Sequence, residues 1–181
     1  MRGARSAVAV ALVLSLSGCA LVSDLLIPGS STEGEQYVMP PEANEIPDRI
    51  LIVPDDWSVE YAGTLADGRL FFLTTPFEPG VAEYLAVFYW NADGSYDSMV
   101  VDDLGSRDDL TQEEGEAALQ SRLASLGEYT IEQISVAPFS EEHDGVQFGL
   151  IPVQSEGSTW VSVMPGDYIA YTWPWDGLYD T

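Results

Sequence analysis

The chain has 181 residues, 46% of them hydrophobic, and its 30 acidic side chains against 6 arginines and no lysine give it a net charge of −24. A surface this acidic repels nucleic acid, so we expect no nucleic-acid partner. With one cysteine, one histidine and no lysine, the chain cannot build a transition-metal site of clustered His and Cys, a Schiff base or a G-x-x-x-x-G-K phosphate loop.

The first residues have the parts of an export signal. Arg2 and Arg5 precede an apolar run over residues 7–16, which the small residues Ser17 and Gly18 follow. A positive start, an apolar run of about 7–15 residues and a small-residue exit are typical of a secretory signal peptide. The sequence therefore predicts a signal peptide over residues 1–18.

Leu16-Ser17-Gly18-Cys19 resembles the lipobox of bacterial lipoproteins. The resemblance implies diacylglycerol (palmitate-type) lipidation of the Cys19 thiol, cleavage before Cys19 and acylation of the new amino group. It also implies a location on the extracytoplasmic side of the cell membrane or outer membrane, with the choice between them open. The alternatives are an ordinary signal peptide and a buried apolar strand with an inert thiol.

The composition changes after the signal. Residues 28–48 hold four prolines, several acids and small polar residues with no sustained period. We therefore predict that residues 19–48 are the lipidated N-terminus and a flexible acidic tether. The remaining residues, 49–181, are long enough for a single globular domain.

Tight turns divide this domain into strands. Asp-Gly occurs at residues 67–68, 93–94, 144–145 and 176–177, between segments rich in Val, Ile, Tyr and Trp. Asp-Gly favours hairpin turns when such segments flank it. The pattern predicts about eight mainly antiparallel strands.

One helix is well marked, at about residues 112–126. Thr111 and Glu114 have the spacing of a capping box, and Gly127 provides a stop. Leu119, Leu123 and Leu126 fall on one face, so the helix is amphipathic and should cover a sheet. We expect an α+β fold.

Two short blocks recur in the same order. "DGRLFFL" (67–73) resembles "DGVQFGL" (144–150), and "WNADGSYD" (90–97) resembles "WPWDGLYD" (173–180). The repetition indicates either a duplicated strand unit or a chance likeness between hairpins.

Acidic residues before the helix are the candidates for calcium, which prefers oxygen ligands. These are Asp102, Asp103, Asp108 and Asp109. Leu104 stands where an EF-hand loop needs a third-position oxygen, and acids at a helix start also favour the helix dipole without any metal. Calcium therefore stays a weak alternative, and no other cofactor is expected.

The C-terminal segment is rich in aromatic residues that alternate along the chain, namely Tyr171, Trp173, Trp175 and Tyr179. Exposed together, they would offer a platform for sugar rings or for a partner's apolar patch. Buried, they would belong to the core. Pro174 favours an edge strand and so favours exposure.

These observations favour a non-catalytic binding or scaffolding module at the bacterial envelope, with a cell-wall glycan or an envelope protein as partner. No catalytic residue is predicted. The alternatives are a calcium-stabilised surface domain and a carboxylate-dependent hydrolase acting on envelope glycans, the latter including His143 with Glu142 and Asp144.

Overall fold

The computed structural model describes residues 41–155 and 157–181. The predicted signal peptide, Cys19 and the tether as far as residue 40 lie outside the described residues. The described chain contains thirteen strands, one α-helix and one 3-10 helix. In chain order the elements are η1 (Pro41–Asn44), β1 (Ile50–Ile52), β2 (Tyr61–Leu65), β3 (Leu70–Thr74), β4 (Phe77–Glu78), β5 (Ala82–Trp90), β6 (Tyr96–Gly105), α1 (Gln112–Leu126), β7 (Tyr129–Ile131), β8 (Ile134–Val136), β9 (Phe139–His143), β10 (Val146–Ser155), β11 (Ser158–Met164), β12 (Ala170–Thr172) and β13 (Tyr179–Asp180).

The strands form three antiparallel sheets. In the six-stranded sheet β7, β2, β3, β5 and β6 are neighbours in that order. β4 pairs with the same edge of β5 as β3 does. Thr74 of β3 lies opposite Ala86 and Phe77 of β4 lies opposite Glu83, in one continuous register. The second sheet has the order β13-β12-β11-β10-β9, and β1 pairs with β8 in a two-stranded sheet. The predicted mainly antiparallel α+β fold is confirmed.

Side-chain alternation along the central strands explains how the layers pack. On β5, Phe88 and Trp90 join a core shared with the second sheet, whereas Leu85 and Val87 join a core shared with the helix. Successive residues of a strand point to opposite faces, so a strand covered on both faces is apolar throughout. The fold is thus a sandwich of two sheets with α1 on the outer face of the six-stranded one.

The helix forms where the sequence predicts it. Thr111 accepts a hydrogen bond from the Glu114 N–H, and the Glu114 carboxylate accepts from the Thr111 N–H at 3.0 Å, which completes the capping box. Leu123 is buried against the six-stranded sheet, with Leu119 and Leu126 packed beside it. The predicted helix and its apolar face are confirmed.

The structure differs from the predictions in strand number and in domain start. The structure has thirteen strands, whereas about eight were predicted. Short strands such as β1, β4 and β13 contain too few residues for an alternating pattern to be recognised. The domain begins before Arg49: Ala43 in η1 is fully buried, and the Gln154 side chain donates to the Asn44 carbonyl at 2.8 Å. The short helix η1, expected in the tether, therefore packs on the domain.

The repeated blocks occupy turns that are not equivalent. Asp67-Gly68 joins β2 to β3, and Asp93-Gly94 joins β5 to β6, so the meander order puts both turns at one end of the sheet. In the second sheet Asp144-Gly145 joins β9 to β10 and Asp176-Gly177 joins β12 to β13, at opposite ends. A duplicated strand unit stays a prediction, but these blocks do not mark equivalent hairpins.

Within the described residues, no helix combines the length and apolar character needed to cross a bilayer.

A candidate binding groove around Trp57

The C-terminal aromatic residues do not form one exposed platform. Tyr171 is fully buried in the core between the two large sheets. Trp175 and Tyr179 are half-buried and pack against the same core, and Trp173 is also half-buried. Tyr171 is therefore a core residue, and only part of the surface of the other three side chains is exposed.

The turn that carries Trp175 is fastened to the N-terminal strand. The Trp175 N–H donates to the Thr172 carbonyl at 2.9 Å, and the Trp175 carbonyl accepts from the Leu51 N–H at 3.0 Å. Gly177 has a φ of 98°, and a Cβ there would meet the side chain of Val53. The C-terminal turn thus supports β1 and the loop that follows it.

This loop is organised around the carboxylate of Asp55. Its Oδ1 accepts hydrogen bonds from the backbone N–H groups of Trp57 (2.8 Å), Ser58 (3.1 Å) and Val59 (3.1 Å), and its Oδ2 accepts from the Tyr179 hydroxyl. Burial by itself raises the pKa of Asp55, but these hydrogen bonds outweigh it and lower the pKa below 3.8. The loop is therefore fixed from within and from the C-terminal strand.

The loop presents Trp57 to solvent. Its side chain is 88% exposed, more than any other large hydrophobic side chain of the described residues. Large aromatic residues are usually well buried, and a side chain left exposed on a fixed backbone is a feature of contact sites. The sequence patterns did not single out Trp57 as a site residue, although the turn signal Pro54-Asp55-Asp56 stands directly before it.

Trp57 stands beside a cavity of about 320 Å³. Besides Trp57 the wall has three aromatic rings, several hydroxyls and two carboxylates. They belong to Tyr61, Phe77, Tyr168, Ser58, Thr74, Glu60 and Glu83. The cavity therefore combines ring faces with hydrogen-bonding groups, as ligand sites commonly do.

Its floor is rigid. The Tyr168 and Thr74 hydroxyls are hydrogen-bonded to each other, and the Tyr168 ring lies 6.0 Å from that of Phe77. Burial raises the pKa of the Tyr168 hydroxyl above 10, so it is neutral at physiological pH. The floor offers hydroxyl groups and an aromatic face, without charge.

Arg107 lies between this cavity and a second one of similar size. The second cavity, also about 320 Å³, shares Phe77, Glu83 and Arg107 with the first and continues to Glu78 and Val81. Arg107 donates through Nε to the Glu83 carboxylate, and its guanidinium carbon lies 5.0 Å from the centre of the Phe77 ring. We call the two cavities together the Trp57 groove.

The predicted calcium ligands are separated by their own contacts. Asp102 pairs with Arg122 of α1 through two nitrogens, with a closest distance of 2.5 Å, and Asp103 accepts from the Gly105 N–H at 2.7 Å. Asp108 lines the second cavity and Asp109 lies in the turn before α1. Among the described residues, no group of three or more His, Cys, Asp or Glu side chains is arranged to hold a metal ion.

The predicted hydrolase residues lie on the edge strand β9 and its turn. The His143 Nε2 is 3.7 Å from the Asp144 carboxylate, and both side chains are substantially exposed. Glu142 is also exposed on β9, opposite Gln147 of β10. His143 and Asp144 are therefore close to each other, and all three residues lie outside the Trp57 groove.

In comparisons with protein-family models, curated proteins and solved structures, nothing matches this chain. What the domain does therefore has to follow from its own chemistry.

Proposed function

We propose that the protein is a lipid-anchored lipoprotein of the bacterial envelope whose folded domain is a non-catalytic binding or scaffolding module. The lipobox-like residues 16–19 support the anchor. The partner is a cell-wall glycan or an envelope protein, and the Trp57 groove replaces the C-terminal aromatic turn as the proposed contact surface.

One observation carries the binding role: Trp57 is 88% exposed, yet its loop is held by the four hydrogen bonds that the Asp55 carboxylate accepts. A mobile loop would lose conformational entropy on binding, whereas a preorganised one has already lost it. Exposed tryptophans on rigid supports are frequent hot spots of interfaces. The C-terminal aromatic residues act in this proposal as the support of the site.

Binding is tested by co-sedimentation with isolated envelope material in the Cys19→Ala background, in which no lipid holds the chain to the membrane, comparing that chain with its Trp57→Ala and Ile46→Ala derivatives. Ile46 is the control, since its side chain is 55% exposed and lines neither cavity. We expect Trp57→Ala to abolish co-sedimentation with little change in melting temperature, and Ile46→Ala to retain it. Equal co-sedimentation of all three proteins would contradict the proposed contact surface.

The anchor is tested separately by feeding cells a palmitate analogue and comparing the chain with Cys19→Ala. We expect label on the unmodified chain only. Label that persists in Cys19→Ala would refute lipidation at this residue.

A further inference from the structure

The arginines of the described residues are all held by acceptors of the protein itself. Arg69, Arg107 and Arg122 pair with Asp67, Glu83 and Asp102, respectively. Arg49 donates to the Ser135 carbonyl at 3.2 Å. The domain therefore presents a negative field, which attracts basic partners and repels acidic ones.

The charge of the Trp57 groove is also negative. Arg107, the only basic residue among the described residues that line it, is neutralised by Glu83. Glu60 near Trp57, and Glu78 and Asp108 in the second cavity, take part in no ion pair within residues 41–155 and 157–181. Carboxylates therefore stand at both ends of the groove without a cation.

Arg107 shows which chemistry the groove walls support. Its guanidinium lies over the Phe77 ring while the Glu83 carboxylate, only 15% exposed, accepts its Nε–H. A cation over a ring face is attracted by the negative face of the ring, and tryptophan is the best ring for this contact. Trp57 and Glu60 line one cavity and bring a ring and a carboxylate to it, with the Trp57 ring exposed.

From these observations we infer that the Trp57 groove binds an extended basic peptide segment of an envelope protein, with a Lys or Arg side chain on the Trp57 ring beside Glu60. The inference rests on the proposed function and names its partner class. The two joined cavities suit an extended chain, and Val81, 60% exposed, offers an apolar contact at the far end. A neutral glycan would gain from the ring but not from the three carboxylates.

The test measures binding of a fluorescent Arg-Ser repeat peptide of about eight residues, which extends by about 3.3 Å per residue. Its controls are a Glu-Ser peptide of the same length and an oligomer of N-acetylglucosamine. We expect only the Arg-Ser peptide to bind, with an affinity that falls at least about tenfold between low and high salt, because exposed charges are screened.

Variants locate the site. We expect Trp57→Ala to weaken binding of the Arg-Ser peptide about fivefold or more, as loss of a cation–π contact does. Glu60→Gln should weaken it, whereas Glu142→Gln, with the same change of net charge outside the groove, should not. Arg107→Gln should strengthen it, since it removes a competing cation and frees Glu83.

The possible outcomes separate the two proposals. If Glu142→Gln weakens binding as much as Glu60→Gln, attraction to the whole acidic surface explains it and the inference is overturned. If the sugar oligomer binds in a Trp57-dependent way and the Arg-Ser peptide does not, the inference fails while the proposed function stands. If neither binds and Trp57→Ala leaves co-sedimentation with envelope material unchanged, both fail.

Discussion

Replacing Tyr179 with phenylalanine removes a single hydroxyl, which donates to the Asp55 carboxylate from 124 residues away in the chain. A hydrogen bond to a charged group contributes about 1.5–3 kcal/mol. Because Asp55 and Tyr179 are only half-buried, we expect the lower end, about 1.5 kcal/mol. For a domain of this size that corresponds to a fall in melting temperature of about 6 °C.

The effect should depend on pH in a defined direction. The pKa of Asp55 is lower in the folded state than its ordinary value of 3.8, because hydrogen bonds outweigh the effect of burial. Such a carboxyl adds stability above its unfolded pKa, and that stability is lost as pH falls through the folded pKa. The penalty of Tyr179→Phe should therefore be complete at neutral pH and shrink below about pH 4 as Asp55 takes up a proton.

The assay is thermal and urea unfolding of Tyr179→Phe, Asp55→Asn and the double variant, which gives the coupling free energy of the pair. Tyr129→Phe is the control, since the Tyr129 hydroxyl makes no hydrogen bond among the described residues and its ring is half-buried. A coupling near zero at neutral pH, or equal losses for Tyr179→Phe and Tyr129→Phe, would refute the role given to Tyr179.

Three further predictions concern the rest of the domain. Arg122→Met should lower the free energy of unfolding by about 2 kcal/mol in urea titrations and Arg69→Met by less than about 1, since the Arg122 side chain is 19% exposed and that of Arg69 40%. Leu123→Ala should cost about 2–4 kcal/mol by the same measurement and Leu178→Ala, at a side chain 69% exposed, less than about 0.5. Burial raises the pKa of Tyr168 above 10, so its contribution to stability is present below pH 10 and lost as pH rises through the raised pKa. The difference in tyrosine absorbance between the chain and Tyr168→Phe should show this ring ionising only together with unfolding, and its ionisation before the loss of circular dichroism would contradict the prediction.

The helix and the central strands could be predicted from the sequence because their signals are local. The capping box at Thr111 and Glu114 lies within the residues it stabilises. Likewise, Asp93-Gly94 sits between β5 and β6, whose own apolar pattern is strong. Local signals of this kind need no knowledge of distant parts of the chain.

The candidate site could not be predicted, because long-range contacts create it. Asp55 holds the Trp57 loop with help from Tyr179. No local sequence pattern indicates a hydrogen-bond partner that lies 124 residues away. The alternation assumed for the C-terminal aromatic residues also ended early, since β12 stops at Thr172 and the chain turns there. Beyond Thr172 the alternation of side chains along a strand no longer determines to which side each aromatic ring points.

The contacts that fasten β1 and the Trp57 loop also bear on the order of folding. Ile50 pairs with Val136, Leu51 bonds to the Trp175 carbonyl, and Asp55 bonds to Tyr179. Contacts between residues so distant in the chain form late, because the long loop between them must close first. Synthesised early, this segment can reach its final form only when the last strand has arrived, so a chain interrupted before β13 would lack the Tyr179 hydrogen bond that helps to hold the Trp57 loop, however complete its six-stranded sheet.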